Sequence, residues 1–361
     1  LSAGSALIAA PVDDVATARR LGVSDAAMAL SRSADIVDLH LDTFIPPRLW
    51  GYDPLTKHGK GVFRGHFFGQ LDLPRMEEGG LSGAMWSITT NPFRSAASRW
   101  RVFLKNLGRF QAMVARSEGR IRLCRSHSEY LAARADGAHA CLLSIQGGNC
   151  LVAAPNGPAS IPDRLVNRVT LVHLTNSVYG TTSSPLALWR SEQGLSALGK
   201  RFVEQLDAER IFVDLAHINP KGFWDAVDAH DASLPLLATH TGVVGVRPHW
   251  RNLDDDQLRA IAQTGGTVGV IFSAPFLSRR GGPRDAEMVV EHLAHIVEVA
   301  GEDAASLGSD YDGAITPPPD LRDGLAWPRL VQRMMDRGWT EARIRKILGG
   351  NALRALAALR P

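Results

Sequence analysis

The feature that most constrains the fold is a recurrence. Short apolar runs each close on a residue that binds metals or carries protons, and helical segments lie between them. Run 36–39 leads into His40-Leu41-Asp42, run 141–145 into Gln146, and run 169–172 into His173. Run 211–216 leads into His217, 236–239 into His240, and 306–309 into Asp310. One buried histidine after a strand is ordinary. Six such endings describe strands aiming polar side chains at one point, which is how a (β/α)8 TIM barrel builds an active site at its C-terminal face.

Eight strands are predicted at 35–41, 83–89, 140–145, 169–174, 211–216, 235–239, 266–272 and 306–308. Most are continuous apolar runs, as expected for parallel strands covered on both faces. Helical patterns separate them, including a capping box at Ser126-x-x-Glu129 and the acid-led segment 254–264. Strand and helix in alternation imply a parallel sheet, and eight repeats favour a closed barrel over an open one. The 361 residues fit one barrel domain, with 45% hydrophobic residues for its core. A helical arm covers about 1–34, its stretch 13–31 reading as a helix packed outside the barrel. An insertion at about 44–80 follows the first strand and carries Trp50, Tyr52, Phe63, Phe67 and Phe68. Such an insertion walls a substrate pocket or a subunit contact, which makes it the candidate contact of a homodimer.

Forty basic residues against thirty-seven acidic ones are scattered, with no Lys/Arg stripe interleaved with aromatics, so no nucleic-acid partner is expected. Cys124, Cys141 and Cys150 form no C-x-x-C pair, which argues against a disulfide scaffold or a cysteine zinc site. No run reaches the roughly 18 apolar residues of a membrane span. The small, apolar segment 1–11 resembles the tail of a secretory signal, which favours an exported, periplasmic protein over a cytoplasmic one.

His40 and Asp42 are two apart on one strand and face the same side. An H-x-D pair there supplies a nitrogen and an oxygen ligand to a borderline metal such as zinc. Asp38 shares that face and is expected to orient the His40 ring. His217 and His240 end consecutive strands, so both can reach one ion. His249 reads as a rim residue, His292 and His295 as surface or groove residues, and Asp312 as a brace for its loop. No G-x-S-x-G turn accompanies Ser177, Ser183 or Ser184, which argues against a serine hydrolase.

From about residue 35 to 359 the chain resembles the membrane dipeptidase (renal dipeptidase) family of metal-dependent hydrolases, among the amidohydrolase-like barrels. The carrying motifs are D-L-H-L-D at 38–42, G-G-L-S-G-A-M-W-S at 79–87, D-L-A-H at 214–217 and T-H-T at 239–241. They continue with H-W-R-N at 249–252, G-S-D-Y-D-G at 308–313 and R-G-W-T-E-A…G-G-N-A-L-R at 337–354. The resemblance implies a zinc dipeptidase acting on small peptides. It implies one ion on His40 and Asp42, a second on His217 and His240, and a glutamate bridging both. It gives His173 the role of polarising the substrate carbonyl, Arg251 that of gripping the substrate carboxylate, and Asp310 that of moving the proton.

Gln146 stands where the family has the bridging glutamate. A carboxylate bridges with one negative charge and two oxygens; an amide offers one neutral oxygen. Two divalent ions about 3.5–4 Å apart repel by roughly 20 kcal/mol at an effective dielectric of about 20. At most one tightly bound ion is therefore expected, and Gln146→Glu is expected to raise metal content. Two alternatives to a zinc dipeptidase stay open. One is an impaired or repurposed barrel, acting in a biosynthetic pathway or as a binding protein; the other is a different metal-dependent amidase or lactonase.

Overall fold

The computed structural model describes residues 13–59, 66–90, 94–185 and 193–361. The proposed signal tail at 1–11 and Phe63 lie outside them. Nine parallel strands form one sheet. They are β1 (Val37–Leu41), β2 (Gly83–Thr89), β3 (Ile121–Leu123), β4 (His139–Gln146), β5 (Val166–Thr170), β6 (Phe212–Asp214), β7 (Leu237–Thr241), β8 (Thr267–Val270) and β9 (Ala305–Leu307). Eight run in the order β1-β2-β4-β5-β6-β7-β8-β9, and β3 lies off this path against β4. The ring closes where the chain after β9 meets β1: Asp310 N–H donates to the His40 carbonyl (3.1 Å) and Asp42 N–H to the Tyr311 carbonyl (2.9 Å). This is the (β/α)8 barrel, with helices between successive strands covering its outside.

Apolar residues dictate this closure. Val37, Leu39 and Leu41 alternate with Asp38 and His40, and all five are buried. Trp86 on β2 packs edge-on against Phe110 of the helix Ala96–Arg116, with ring centroids 5.6 Å apart. Gly308 is there for want of space: a Cβ would stand 1.7 Å from the Thr239 carbonyl oxygen. Without a side chain the start of the Asp310 loop packs directly against β7.

Several local expectations change. The strand expected at 169–174 is β5, Val166–Thr170. Its buried Asn167 and Arg168 interrupt the apolar run from which the later boundary was read. The ninth strand, β3, has only Ile121 buried, too little to give a period. The single arm helix expected at 13–31 is two helices, Asp14–Leu21 and Asp25–Ser33. Gly22 turns left-handed between them (φ 70°), and Ser24 caps the second by accepting from Ala27 N–H (3.1 Å). The Ser126 capping box is half made. Ser126 accepts from Glu129 N–H (3.3 Å), but the Glu129 carboxylate takes the Arg125 N–H (2.7 Å). His292 is fully buried, not a surface or groove residue, because the helix Glu287–Ala300 turns it inward. Its Nδ1 accepts from Val243 N–H (2.9 Å) and its Nε2 donates to the Leu277 carbonyl (3.1 Å).

Of the insertion, Leu49, Trp50 and Phe67 are exposed, the kind of apolar surface a subunit contact requires. Among the described residues no helix is long and apolar enough to cross a membrane.

Candidate active site

His40, Asp42, Gln146, His173, His217, His240, Arg251 and Asp310 gather at the C-terminal mouth of the barrel. The backbone aims several of them by irregularity. Pairing shifts register between Asp38 and Leu41 on β1, and again between Ala238 and Thr241 on β7. His40 and His240 sit inside those two stretches, and a register break re-aims a side chain. His173, His217 and Asp310 each lie three residues past the end of their strand. His217 and Asp310 hold positive φ (68° and 62°), which a non-glycine residue rarely adopts. Ordinary turn residues such as Glu118 and Arg210 do the same here, so the angle first marks a tight turn.

The rings stand close. His40 stacks on His240 with centroids 3.8 Å apart, and His217 meets His173 edge-on at 4.7 Å. His217 Nε2 is 2.8 Å from His240 Nε2. His40 Nε2 lies 3.4 Å from Asp310 Oδ1 and 3.7 Å from Asp42 Oδ1. Gln146 satisfies its amide in one orientation only. Its nitrogen then donates to both Asp42 oxygens (3.0 and 3.2 Å) and its oxygen accepts from His173 Nε2 (3.3 Å). Reversed, the nitrogen faces His217 Nε2 at 3.4 Å and the oxygen faces acceptors. Arg251 is buried, and its Nη2 donates to the His240 carbonyl (2.5 Å).

Burial governs the ionisation. It holds His40, His217 and His240 well below the usual imidazole range, with the neighbouring arginines adding to the effect, so all three are neutral. It brings His173 down to about 4. It raises Asp42 to about 6 against the pull of His173, Arg48 and Arg168. It lifts Asp310 well above the carboxylate range, helped by Asp42 and opposed by Arg251. Asp38 is pushed up to about 7, chiefly by burial.

Asp38 does not orient the His40 ring. Its Oδ1 accepts from the backbone N–H of His40 (3.1 Å) and Ser309 (2.8 Å), so it fastens the closing seam. The ring is held by Arg168, which sequence reasoning passed over. Its Nη2 donates to His40 Nδ1 (2.8 Å) and Ser87 Oγ (2.9 Å), and its Nη1 to Thr170 Oγ1 (2.6 Å). Asp214 balances it, with Oδ2 3.1 Å from Nη1. The available signal was a charged residue between Val166 and Val169, in a segment too apolar to leave it in water. Asp312 does brace its loop: its Oδ1 accepts from Gln70 N–H (2.9 Å), and its own N–H donates to Gln70 Oε1 (2.6 Å). His249 is half-buried beside Trp250 and Phe276, and His295 pairs with Asp255 at 2.7 Å.

Metal competence follows from hydrogen-bond logic. Thr239 Oγ1 has one proton, which it gives to the Asp214 carboxylate (2.8 Å), so it must accept from His240 Nδ1 (2.9 Å). His240 Nε2 therefore keeps its lone pair, directed toward His217 Nε2. His217 Nδ1 and Asp310 Oδ1 are buried without a hydrogen-bond partner. Ligand atoms of His40, His240 and Asp310 all lie within 4.8 Å of one another. Among the described residues these three form a group that could hold a metal ion. A cleft of about 500 Å³ beside Arg48, Tyr52, Arg109 and Arg116 contains none of these histidines.

Fold and site together define a barrel of the metal-dependent hydrolase type. Residues 24–360 match the family described as membrane dipeptidase, peptidase family M19, and the chain belongs to that family. An uncharacterised Klebsiella pneumoniae protein from the pqqA 5′ region is 35% identical over 270 residues, covering 71% of this chain and 95% of that one. Among solved structures, dipeptidase AC, a metallopeptidase of family M19, superposes with a TM-score of 0.80 at 29% identity, covering 90% of this chain and 98% of that one. A Rhodobacter sphaeroides metallopeptidase holding a phosphinate mimic of the dipeptide L-Ala-D-Ala gives a TM-score of 0.77 at 29% identity, with the same coverage. These relationships support metal-dependent dipeptide hydrolysis.

Proposed function

We propose that this protein hydrolyses dipeptides, or closely related amino-acid amides, with zinc held by His217 and His240. The observation that carries the reading is the His240 Nε2 lone pair, which meets only the His217 ring, beside the buried Asp310 Oδ1 and His217 Nδ1 that no hydrogen bond completes. When bound, such an ion polarises the scissile carbonyl and makes water acidic near neutral pH. Asp310 takes a proton from the attacking water at its free oxygen and hands it to the departing amine; its raised pKa suits a group that must both accept and donate. His173 Nε2–H, which rests on the Gln146 oxygen, turns from it to donate to the oxyanion as the carbonyl becomes tetrahedral. Arg251 pairs with the terminal carboxylate of the substrate, which favours short substrates with a free C-terminus. The family and the phosphinate-bound relative support this assignment.

A second reading, a barrel that binds a peptide-like ligand without turning it over, draws support from the Gln146 amide holding Asp42. A panel of free dipeptides, amides and lactones, assayed after chelation and after adding zinc, manganese or cobalt, separates these readings. Metal-restored dipeptide cleavage is the expected result. Binding without turnover under every metal favours the second reading, and cleavage confined to amides or lactones sinks the dipeptide assignment.

A further inference from the structure

The two halves of the mouth differ in what holds the far nitrogen of each histidine. His240 Nδ1 meets a threonine oxygen that can only accept there, so Nε2 carries a lone pair, which faces His217 Nε2. His40 Nδ1 meets the Arg168 guanidinium at 2.8 Å. A guanidinium has donors and no acceptor, so His40 Nδ1 must be the acceptor. An imidazole that accepts at Nδ1 carries its proton on Nε2, here the nitrogen facing Asp310 and Asp42. A ligand nitrogen needs a lone pair. To offer one, His40 would have to carry its proton on Nδ1, where it would confront an N–H of Arg168, and a buried bond to a charged group would be lost. Removing such a bond costs about 1.5–3 kcal/mol.

Charge points the same way. Arg168 is fully buried and places a fixed positive charge beneath His40, balanced by Asp214. Burial pushes the Asp214 carboxyl up, but Arg168 and the bonds from Thr170 and Thr239 outweigh this and leave it below the usual range, so it stays ionised. An ion on His40 and Asp42 would add two positive charges next to that guanidinium. The amide of Gln146 meanwhile occupies both oxygens of Asp42.

We infer that Arg168 stands in for a second metal ion, keeping His40 with its proton on Nε2 instead of a ligand lone pair, so that the mouth holds one ion on its His217–His240 side. The inference rests on the proposed reading for that ion's presence, not for the His40 tautomer. It also revises what Gln146→Glu alone should do. A restored carboxylate would still face a histidine without a lone pair and a resident cation, so Arg168 acts as a positioning residue that the single substitution leaves in place.

The test uses the purified full chain, labelled with nitrogen-15 at histidine and titrated with zinc after chelation. Elemental analysis is expected to give one ion per chain for the wild type and for Gln146→Glu, and two for Gln146→Glu combined with Arg168→Met. The His40 signal, identified by its loss in His40→Gln, should show a protonated Nε2 and an acceptor Nδ1 before zinc and at saturation. Two ions in the wild type, or in Gln146→Glu alone, would overturn the inference. So would a His40 Nε2 that loses its proton when zinc is added, or a double variant that folds and stays at one ion. If the double variant does not fold, the wild-type tautomer decides. A wild type that binds no zinc defeats the metal assignment, and the His40 signal then still settles whether Arg168 fixes the ring.

Discussion

His139, at the start of β4, and His240, at the mouth end of β7, are both buried histidines, and they differ in what their ring nitrogens meet. His139 Nε2 accepts from Trp86 Nε1–H (3.0 Å) and its Nδ1 donates to the Leu81 carbonyl (3.0 Å). His292 is satisfied in the same way, by one backbone donor and one backbone acceptor. At the mouth, the lone pair of His240 Nε2 meets only another imidazole, His217 Nε2 at 2.8 Å, and His217 Nδ1 has no hydrogen-bond partner. Burial lowers the pKa in both regions, so a perturbed pKa does not separate structure from function here. Among these histidines hydrogen bonding does: His217 Nδ1 at the mouth is left unpartnered, which costs about 1–3 kcal/mol and persists where a ligand completes the site.

The comparison breaks first under substitution of one histidine from each region. His240→Ala should lose the bound metal and bring turnover to background, whereas His292→Gln should keep the metal and lower only stability. Metal content and thermal unfolding of the two variants check this; a metal-replete, active His240→Ala protein would remove the mouth's claim. Next in size, Asp310→Asn should retain the metal and lower kcat by about 10²–10⁴-fold, the usual contribution of a positioned acid–base group. A loss below tenfold would assign the proton to another residue.

Arg251→Ala should raise KM for free dipeptides about 10- to 100-fold, the size of a lost bond to a charged group, and leave amidated substrates much less affected. Equal losses on both would show that Arg251 serves the His240 carbonyl alone. Thr239→Val tests what keeps the lone pair on His240 Nε2. Without the hydroxyl that fixes His240 Nδ1, metal affinity should fall about 10- to 100-fold, read from competition with a chelating dye.

The barrel was legible because its strands are continuous apolar runs that stop at polar residues, and because eight such units have few ways to pack. The gathering at the mouth was legible for the same reason: His40, His217, His240 and Asp310 stand where runs end. Arg168 was not, because a strand with polar residues inside it reads as starting at Val169, and nothing in the order of residues shows which buried acid will balance a buried base. Only three dimensions bring Asp214 of β6 beside it. Asp38 failed for a related reason: facing the same side as His40 does not mean touching its ring, and the backbone of Ser309 claimed the carboxylate first. His292 shows the limit of periodicity, which marks a helical face but not what lies against it.

The smallest effect concerns the satisfied histidines, where acid acts on stability alone. Burial holds His139 and His292 at about 4, against about 6.5 in an unfolded chain. Between those values the unfolded state binds protons that the folded state refuses. The stabilisation is therefore complete above about pH 6.5 and falls as pH drops toward 4. Each group contributes on the order of 3 kcal/mol over that window. His139→Gln can still accept from Trp86 and donate to Leu81 while having nothing to titrate. Denaturant unfolding of the metal-free protein at steps from pH 7 to pH 4 should give the variant a shallower loss, by one proton in the slope. An unchanged slope would mean that His139 is protonated in the fold, and that the contrast between the two regions is one of position alone.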